Sequence, residues 1–174
     1  MVPRHSFEAT LSDAEQVPCP SCGALLGDRS GCQALFDELL AKAWESPQRA
    51  SVHTLLVDAY AMQHSEEYGR SAKSYAAHLV GLCCGVEAPH DRELYWAIPR
   101  WLDGPARLTR PADIHDRGDV TIDSLRKPPD EADYPDLVRT WAQNVWIAYA
   151  AQHETARAWL AAVRAESGPS YPNR

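Results

Sequence analysis

Apolar residues recur at steps of three and four along most of the chain, the spacing that places them on one face of an α-helix. The first such stretch begins at Cys32 and ends near Ser46, and the second runs from about residue 50 to 64. A third covers about 71–84, and the longest covers about 134–165. Short polar connections join the first three, so we expect these helices to be antiparallel neighbours.

The stretch between residues 86 and 132 does not follow this pattern. Its prolines forbid a long helix, because proline lacks the backbone N–H and clashes with the preceding turn. They are Pro89, Pro99, Pro105, Pro111, Pro128 and Pro129. A short helix over about 90–102 is compatible with the sequence, and DVTIDSLR, residues 119–126, is compatible with a brief strand or a helical turn. We therefore predict a long irregular crossover before the last helix.

Together these patterns predict an all-α fold, a four-helix-bundle-like domain over residues 18–166. A cysteine-rich metal loop occupies residues 18–31 at its N-terminal end. Residues 1–17 and 167–174 are largely polar, so we expect both ends of the chain to be flexible.

The composition is that of a globular domain, and it excludes some partners. Of the 174 residues, 45% are hydrophobic and 24% are charged, with a formal net charge of −7. A negative field repels nucleic acids and anionic lipids, so we expect neither as a partner, and no apolar run is long enough to cross a bilayer. Five cysteines, an odd number, and an N-terminus without an apolar leader predict a cytoplasmic location. A small-molecule ligand is the candidate partner that the inward-facing polar residues described below favour, and the oligomeric state stays open.

The segment CPSCG, residues 19–23, is the most specific short motif in the chain. Pro20 and Gly23 favour a tight turn that presents Cys19 and Cys22 to one ligand, as in a metal knuckle. The same spacing occurs in redox dithiols, but those usually lie at a helix N-terminus after a strand, and no strand pattern precedes Cys19. A pair of free surface cysteines is the third alternative. We favour metal binding.

A metal knuckle supplies two ligands, so a second pair must lie elsewhere in the chain. Antiparallel packing of the first two helices brings Cys32 and His64 to the end of the bundle where the knuckle enters. Cys19, Cys22, Cys32 and His64 then form a Cys₃His set, a common environment for a zinc ion. In an alternative assignment, His64 and His78 complete a Cys₂His₂ site and Cys32 is a buried thiol.

The second helix carries more polar groups than a purely structural helix needs. His53, Tyr60 and His64 fall on one stripe of VHTLLVDAYAMQH, residues 52–64, with Asp58 on its flank. Burying such groups without partners costs about 1–3 kcal/mol each. His78 lies among apolar residues of the third helix, near the level of Asp58. We therefore predict a polar cluster of catalytic residues above the zinc site, made of His53, Asp58, Tyr60 and His78.

The order of these motifs resembles a family of small uncharacterised bacterial proteins that share a domain of unknown function. The resemblance rests on CPxCG, a Gly-Cys pair at a helix start, VHTLLVDAYAMQH, AAHLVGLC and WAQNVWIAYAAQH, and it covers roughly residues 18–163. It implies a shared site without naming a reaction. The positions that it marks are Cys19, Cys22, Cys32, His53, Asp58, Tyr60, Gln63, His64 and His78.

Two classes of function follow from this pattern. In the first, the protein is a metal-dependent enzyme or a ligand-binding protein for a small molecule, with zinc polarising a carbonyl or activating water. In the second, zinc is structural and the protein is a non-catalytic interaction module. The first requires an open coordination position, whereas the second requires four protein ligands.

Overall fold

A computed structural model describes residues 17–105, 107–128 and 130–167 of the chain. Within these ranges the secondary structure is entirely helical, which confirms the predicted all-α, bundle-like fold. The α-helices are α1 (Arg29–Ala41), α2 (Pro47–Gln63), α3 (Ser65–Tyr68), α4 (Ala72–Glu87), α5 (Arg92–Asp103), α6 (Tyr134–Ala148) and α7 (His153–Ser167). Three short 3₁₀ helices cover Ile122–Leu125, Glu131–Asp133 and Ala150–Gln152.

Side-chain caps define where the long helices begin. Ser46 accepts a hydrogen bond from the backbone of α2, whose first residue is a proline with a backbone angle already suited to a helix. Ser71 and Ser74 form a reciprocal capping box at the start of α4. Asp91 caps α5 by accepting a hydrogen bond from the Leu94 backbone N–H at 3.1 Å. These polar residues satisfy amides that would otherwise lack partners, which explains why the helices start close to the predicted positions.

The core lies where α2 meets α4 and α6, and α5 and α7 pack against the other side of α4. Several of its side chains are completely buried: Leu79, Val80, Leu82, Val138, Trp141 and Val145. α1 contacts the 3₁₀ helix at Ile122–Leu125, so the crossover closes one side of the bundle. The segment DVTIDSLR is therefore a helical turn, and the short helix expected over about 90–102 is α5.

The predicted single helix over about 134–165 is instead two helices. α6 ends at Ala148, and α7 begins at His153 after a 3₁₀ turn. Two buried side chains at the junction, Tyr149 and Gln152, form hydrogen bonds with residues distant in sequence. The Tyr149 hydroxyl donates to the Met62 carbonyl at 2.6 Å, and the Gln152 amide bridges the Tyr75 hydroxyl and the Ala112 carbonyl. These long-range hydrogen bonds are invisible in a local pattern, and no proline or glycine marks the junction.

The crossover is fastened to the C-terminal end of α2. The buried Gln63 amide donates to the carbonyls of Arg117 and Val120, both at 2.9 Å, and accepts from Trp141 Nε1 at 3.0 Å. In return the Arg117 guanidinium donates to the carbonyls of Met62 and Gln63 at the end of the helix. A cation at this end also complements the helix dipole. These hydrogen bonds position the segment that carries His64.

None of the described helices is both long and apolar enough to span a membrane. The predicted flexible ends, 1–17 and 167–174, lie outside the described residues apart from Val17 and Ser167.

Candidate metal centre and an acid–base pair

The CPSCG segment folds into a tight turn. The Gly23 amide donates to the Cys19 carbonyl at 2.8 Å, and the Cys19 amide donates to the Ala24 carbonyl at 2.9 Å. Gly23 has a φ of 78°, a conformation that glycine adopts without steric cost. Both cysteine side chains of the turn are buried, and this is the geometry that the proline and glycine of the motif predict.

Two helices bring the other two donors to this turn. Cys32 lies in the first turn of α1, which starts immediately after the loop, and His64 caps the C-terminus of α2. Neither side chain is exposed to solvent. The cluster thus joins three segments: the loop, the start of α1 and the end of α2.

The four donor atoms are spaced as the ligands of one metal ion. All lie within 4.8 Å of one another. His64 Nε2 is 3.5 Å from Cys19 Sγ and 3.4 Å from Cys32 Sγ, and Cys22 Sγ is 3.6 Å from Cys32 Sγ. Ligands of a tetrahedral zinc ion are about 3.6–3.8 Å apart, given metal–ligand bonds of about 2.0–2.3 Å. Three of the donor pairs are close to this spacing and the others lie within 4.8 Å, so the cluster could hold a metal ion.

Neighbouring groups set the orientation of the His64 ring. Nδ1 donates to the Tyr60 carbonyl at 2.8 Å, which leaves the lone pair of Nε2 directed at the cysteines. The Tyr60 ring stacks on that of His64 at a centroid distance of 4.0 Å and on that of Phe36 at 3.8 Å. A backbone carbonyl that fixes the tautomer in this way is a common outer contact of metal-binding histidines.

The thiols of Cys22 and Cys32 lie in contact, with their sulfurs 3.6 Å apart. Their sulfurs are too far apart for a disulfide, whose S–S bond is about 2.05 Å, and the chain's cysteines are free. The hydrogen bond from Cys32 and the proximity of His64 hold the pKa of the Cys22 thiol well below its ordinary value. The pKa of Cys32 is raised, first because its thiol is hydrogen-bonded to Cys22, then because the site is buried and a second thiolate beside Cys22 is unfavourable. A cation among the four donors removes this repulsion.

A charged network covers the outer side of the cluster, and sequence analysis did not foresee it. Glu66 accepts from Ser21 of the cysteine turn and from Arg29 of α1, the latter at 3.2 Å. It also pairs with Arg117 of the crossover at 3.3 Å. Arg29 reaches Glu67 and the Ser21 hydroxyl as well. Only the structure relates these residues, because they come from four separate segments.

The predicted polar cluster of His53, Asp58, Tyr60 and His78 is only partly assembled. Asp58 Oδ1 and His78 Nδ1 are 2.9 Å apart. Tyr60 lies with the metal cluster instead, where its hydroxyl donates to Gln33 Oε1 at 3.2 Å. Residues two apart on a helix project to nearly opposite sides, so Asp58 and Tyr60 cannot share one site.

His53 is also separate from the pair. Its ring lies 5.3 Å from that of Trp44, near the turn between α1 and α2, and its buried Nδ1 has no hydrogen-bond partner among the described residues. The structure also does not assemble the alternative Cys₂His₂ site. His78 is hydrogen-bonded to Asp58, and Cys32 is the residue that lies beside His64 and the two cysteines of the CPSCG turn.

The Asp58–His78 pair lies between α2 and α4 and is buried on its acidic side. Asp58 is 6% exposed, and burial raises its pKa to about 6 despite the hydrogen bond from His78. Its carboxylate lies against Gly81, where a Cβ atom would be 2.1 Å from Oδ2. The Tyr95 hydroxyl donates to the Gly81 carbonyl at 2.9 Å. Sequence analysis missed Gly81 and Tyr95, although a glycine three residues after His78 lies on the same helix face and was the available signal.

A sequence profile described as "Family of unknown function (DUF5946)" matches residues 17–150. The chain belongs to this family. That assignment confirms the expected membership of a family with a domain of unknown function. The DUF5946 match includes the whole cysteine–histidine cluster and the Asp58–His78 pair, and it ends before α7. No curated protein and no solved structure matches the chain significantly.

Proposed function

We propose that the protein binds one zinc ion through Cys19, Cys22, Cys32 and His64, and that this ion is structural. The observation that carries the proposal is the burial of four protein donors within 4.8 Å of one another. Three thiolates and an imidazole form a donor set that suits zinc, whereas magnesium and calcium prefer oxygen ligands.

The completeness of the donor set supports a structural role over a catalytic one. A catalytic zinc keeps one coordination position for water or substrate, and its protein ligands usually number three. Here four donors are present, and the most exposed of them, Cys22, is 7% exposed. When bound, the ion would neutralise the thiolates and cross-link the loop, α1 and α2. The residues of the chain hold the ligands ready: the Tyr60 carbonyl orients His64, and the CPSCG turn positions two sulfurs.

The proposal is tested by elemental analysis of the protein purified without added metal, together with thermal melts in the presence and absence of a strong chelator. We expect one zinc per chain, slow removal by the chelator and a large drop in melting temperature once the metal is lost, because a structural site contributes folding free energy directly. Reconstitution with cobalt provides a second measurement, since thiolate-to-cobalt charge-transfer absorption reports the cysteine ligands.

Cys83→Ala is the matched control for this experiment. Cys83 is fully buried in α4, outside the cluster, and it interacts with Glu87. The variant should retain one zinc and the cobalt spectrum. A protein without zinc, or with zinc that leaves readily while the melting temperature stays constant, would contradict the structural role.

The second candidate function is the binding or chemistry of a small molecule, and the Asp58–His78 pair is the observation that favours it. A buried carboxylate that holds an imidazole is a common arrangement for proton transfer. In this proposal, the chemistry does not use the zinc ion. We further propose a cytoplasmic location, because five cysteines without a disulfide between them suit a reducing compartment.

A further inference from the structure

We propose that Asp58 and His78 form an acid–base site in which His78 Nε2 accepts a proton from a small molecule that carries an acidic O–H, N–H or S–H group. His78 is the catalytic residue, and Asp58 is a positioning residue that acts through it. This inference deepens the second candidate function and is independent of the zinc ion, so its failure and the failure of the metal site can be told apart.

The pair is oriented from the core toward solvent. The Asp58 side chain is 8% exposed and that of His78 is 23% exposed. Nδ1, the ring nitrogen nearer the core, is held by the carboxylate at 2.9 Å. Nε2 has no hydrogen-bond partner within the described part of the chain and is not among its buried unpaired atoms. The nitrogen left for a ligand is therefore the solvent-facing one.

Two features around the pair lower the stability of the fold, and a contact that served only packing would need neither of them. A carboxylate buried with a single partner loses hydration, and replacing such pairs with apolar residues is often neutral or stabilising. The carboxylate also requires glycine at position 81, because any Cβ there would overlap it. Glycine inside a helix costs about 1 kcal/mol relative to alanine. Two unfavourable features at one spot indicate that the pair has a use beyond packing.

The chemistry assigned to the pair is a balanced proton transfer. The ionised carboxylate accepts the hydrogen bond from Nδ1–H, so the proton-free nitrogen is Nε2. Its lone pair takes the proton from the substrate heteroatom, whose bonding electrons remain on the substrate as its conjugate base. The imidazolium that forms is stabilised by Asp58, and it then releases the proton to water. No metal or external oxidant takes part in the step.

The first test reads the tautomer of His78 by ¹⁵N NMR of the imidazole nitrogens at pH 8, above the ordinary titration range of histidine. We expect a protonated Nδ1 and an unprotonated Nε2. This measurement needs only the wild-type protein, so it does not depend on whether a variant folds. The opposite tautomer, with Nε2 protonated, would overturn the proposal.

The second test measures how fast each histidine is acylated by diethyl pyrocarbonate, which attacks unprotonated imidazole nitrogen. The exposed His90 and His115 are internal standards. We expect His78 to react at least as fast as they do despite its lower exposure. In Asp58→Asn, its rate should fall about tenfold, the lower end of the effect of removing a partner that orients a histidine.

Tyr95→Phe is the matched control, because it removes a hydroxyl that contacts Gly81 and not His78. Acylation of His78 in this variant should stay at the wild-type rate. If His78 reacts more slowly than His90 and Asp58→Asn leaves that rate unchanged, the pair is a structural contact and the proposal is wrong.

Discussion

The two histidines that neighbour α2 differ in how completely their ring nitrogens are used. His64 is fully buried, with Nδ1 on the Tyr60 carbonyl and Nε2 among three sulfurs. His78 has Nδ1 on Asp58, and no residue of the described chain occupies Nε2. Both ring nitrogens of His64 have partners in the protein, whereas Nε2 of His78 has none among the described residues and lies near the surface. The comparison contrasts a closed cluster of four donors with a pair that leaves one ring nitrogen without a protein partner among the described residues.

The largest effect expected from this difference is the loss of a metal ligand. Cys32→Ala should abolish stoichiometric zinc and lower the free energy of unfolding by more than about 4 kcal/mol, a size reached when a structural metal is lost. Cys32 links α1 to the knuckle and to His64, so its removal opens the cluster at its centre. Urea unfolding combined with zinc analysis measures both quantities.

Cys83→Ala again provides the comparison, with a similar change in volume at an equally buried thiol. It should lose about 1 kcal/mol, the usual cost of a point substitution, and keep its zinc. Equal losses in the two variants would mean that Cys32 acts only through packing.

The Asp58–His78 pair should affect stability through pH. Burial raises the folded-state pKa of Asp58 from 3.8 to about 6, so the folded protein favours the protonated acid, and this contribution is lost as pH rises through 6. From pH 4 to 7.5, wild type should therefore lose about 2 kcal/mol relative to Asp58→Asn, which does not ionise, because Asp58 of the unfolded chain is already partly ionised at pH 4. Chemical unfolding of both proteins across that range measures the difference, and zinc release at low pH cancels because both proteins contain the metal cluster.

Apart from His78, the titratable groups that face Asp58 keep their charge state between pH 4 and 7.5. Burial raises the pKa of Tyr95 and raises that of Cys84 to about 12, so both stay protonated. His78 is the remaining partner, and His78→Gln in both backgrounds isolates its share. A difference between wild type and Asp58→Asn that does not vary with pH would show that folding leaves the pKa of Asp58 unchanged.

A smaller effect is expected at Gly81. Alanine there would place a Cβ atom 2.1 Å from Asp58 Oδ2, and overpacking of this kind typically costs about 1–3 kcal/mol. Asp58→Ala removes the obstructing carboxylate, so Gly81→Ala should be neutral or stabilising in that background, where only the helix propensity remains. A double-mutant cycle by thermal unfolding tests this coupling, and additive effects would mean that the carboxylate moves aside without cost.

Much of this fold is local enough to be predicted from the sequence. The helix starts follow from caps such as Ser46 and Ser71, and the metal cluster follows from CPSCG together with antiparallel neighbours. The break between α6 and α7 was missed because it depends on Tyr149 and Gln152, which bond to residues distant in sequence. Tertiary hydrogen bonds leave no periodic signal in the chain.

The residues predicted for the second site lie in three places for a geometric reason. Asp58 and Tyr60 are close in sequence, yet one turns toward α4 and the other toward the cysteines. A stripe defined by His53, Tyr60 and His64 runs from the second turn of α2 to its C-terminal cap, so its ends contact different neighbours. Periodicity identified which residues are polar and inward, but the partner helix decides which of them meet.

The smallest effect is expected from the charged network over the metal cluster. Arg29 pairs with Glu66 at 3.2 Å and Glu67 at 3.3 Å, but its side chain is 42% exposed and such pairs are screened by water and salt. Arg29→Ala should therefore lower the free energy of unfolding by less than about 1 kcal/mol, with the difference shrinking as salt is added. The more informative readout is the rate at which a chelator removes zinc, because the network covers the cysteine turn. Faster removal at unchanged stability would make Arg29 part of a kinetic barrier around His64, whereas an unchanged rate would leave the closure of that site to the buried ligands alone.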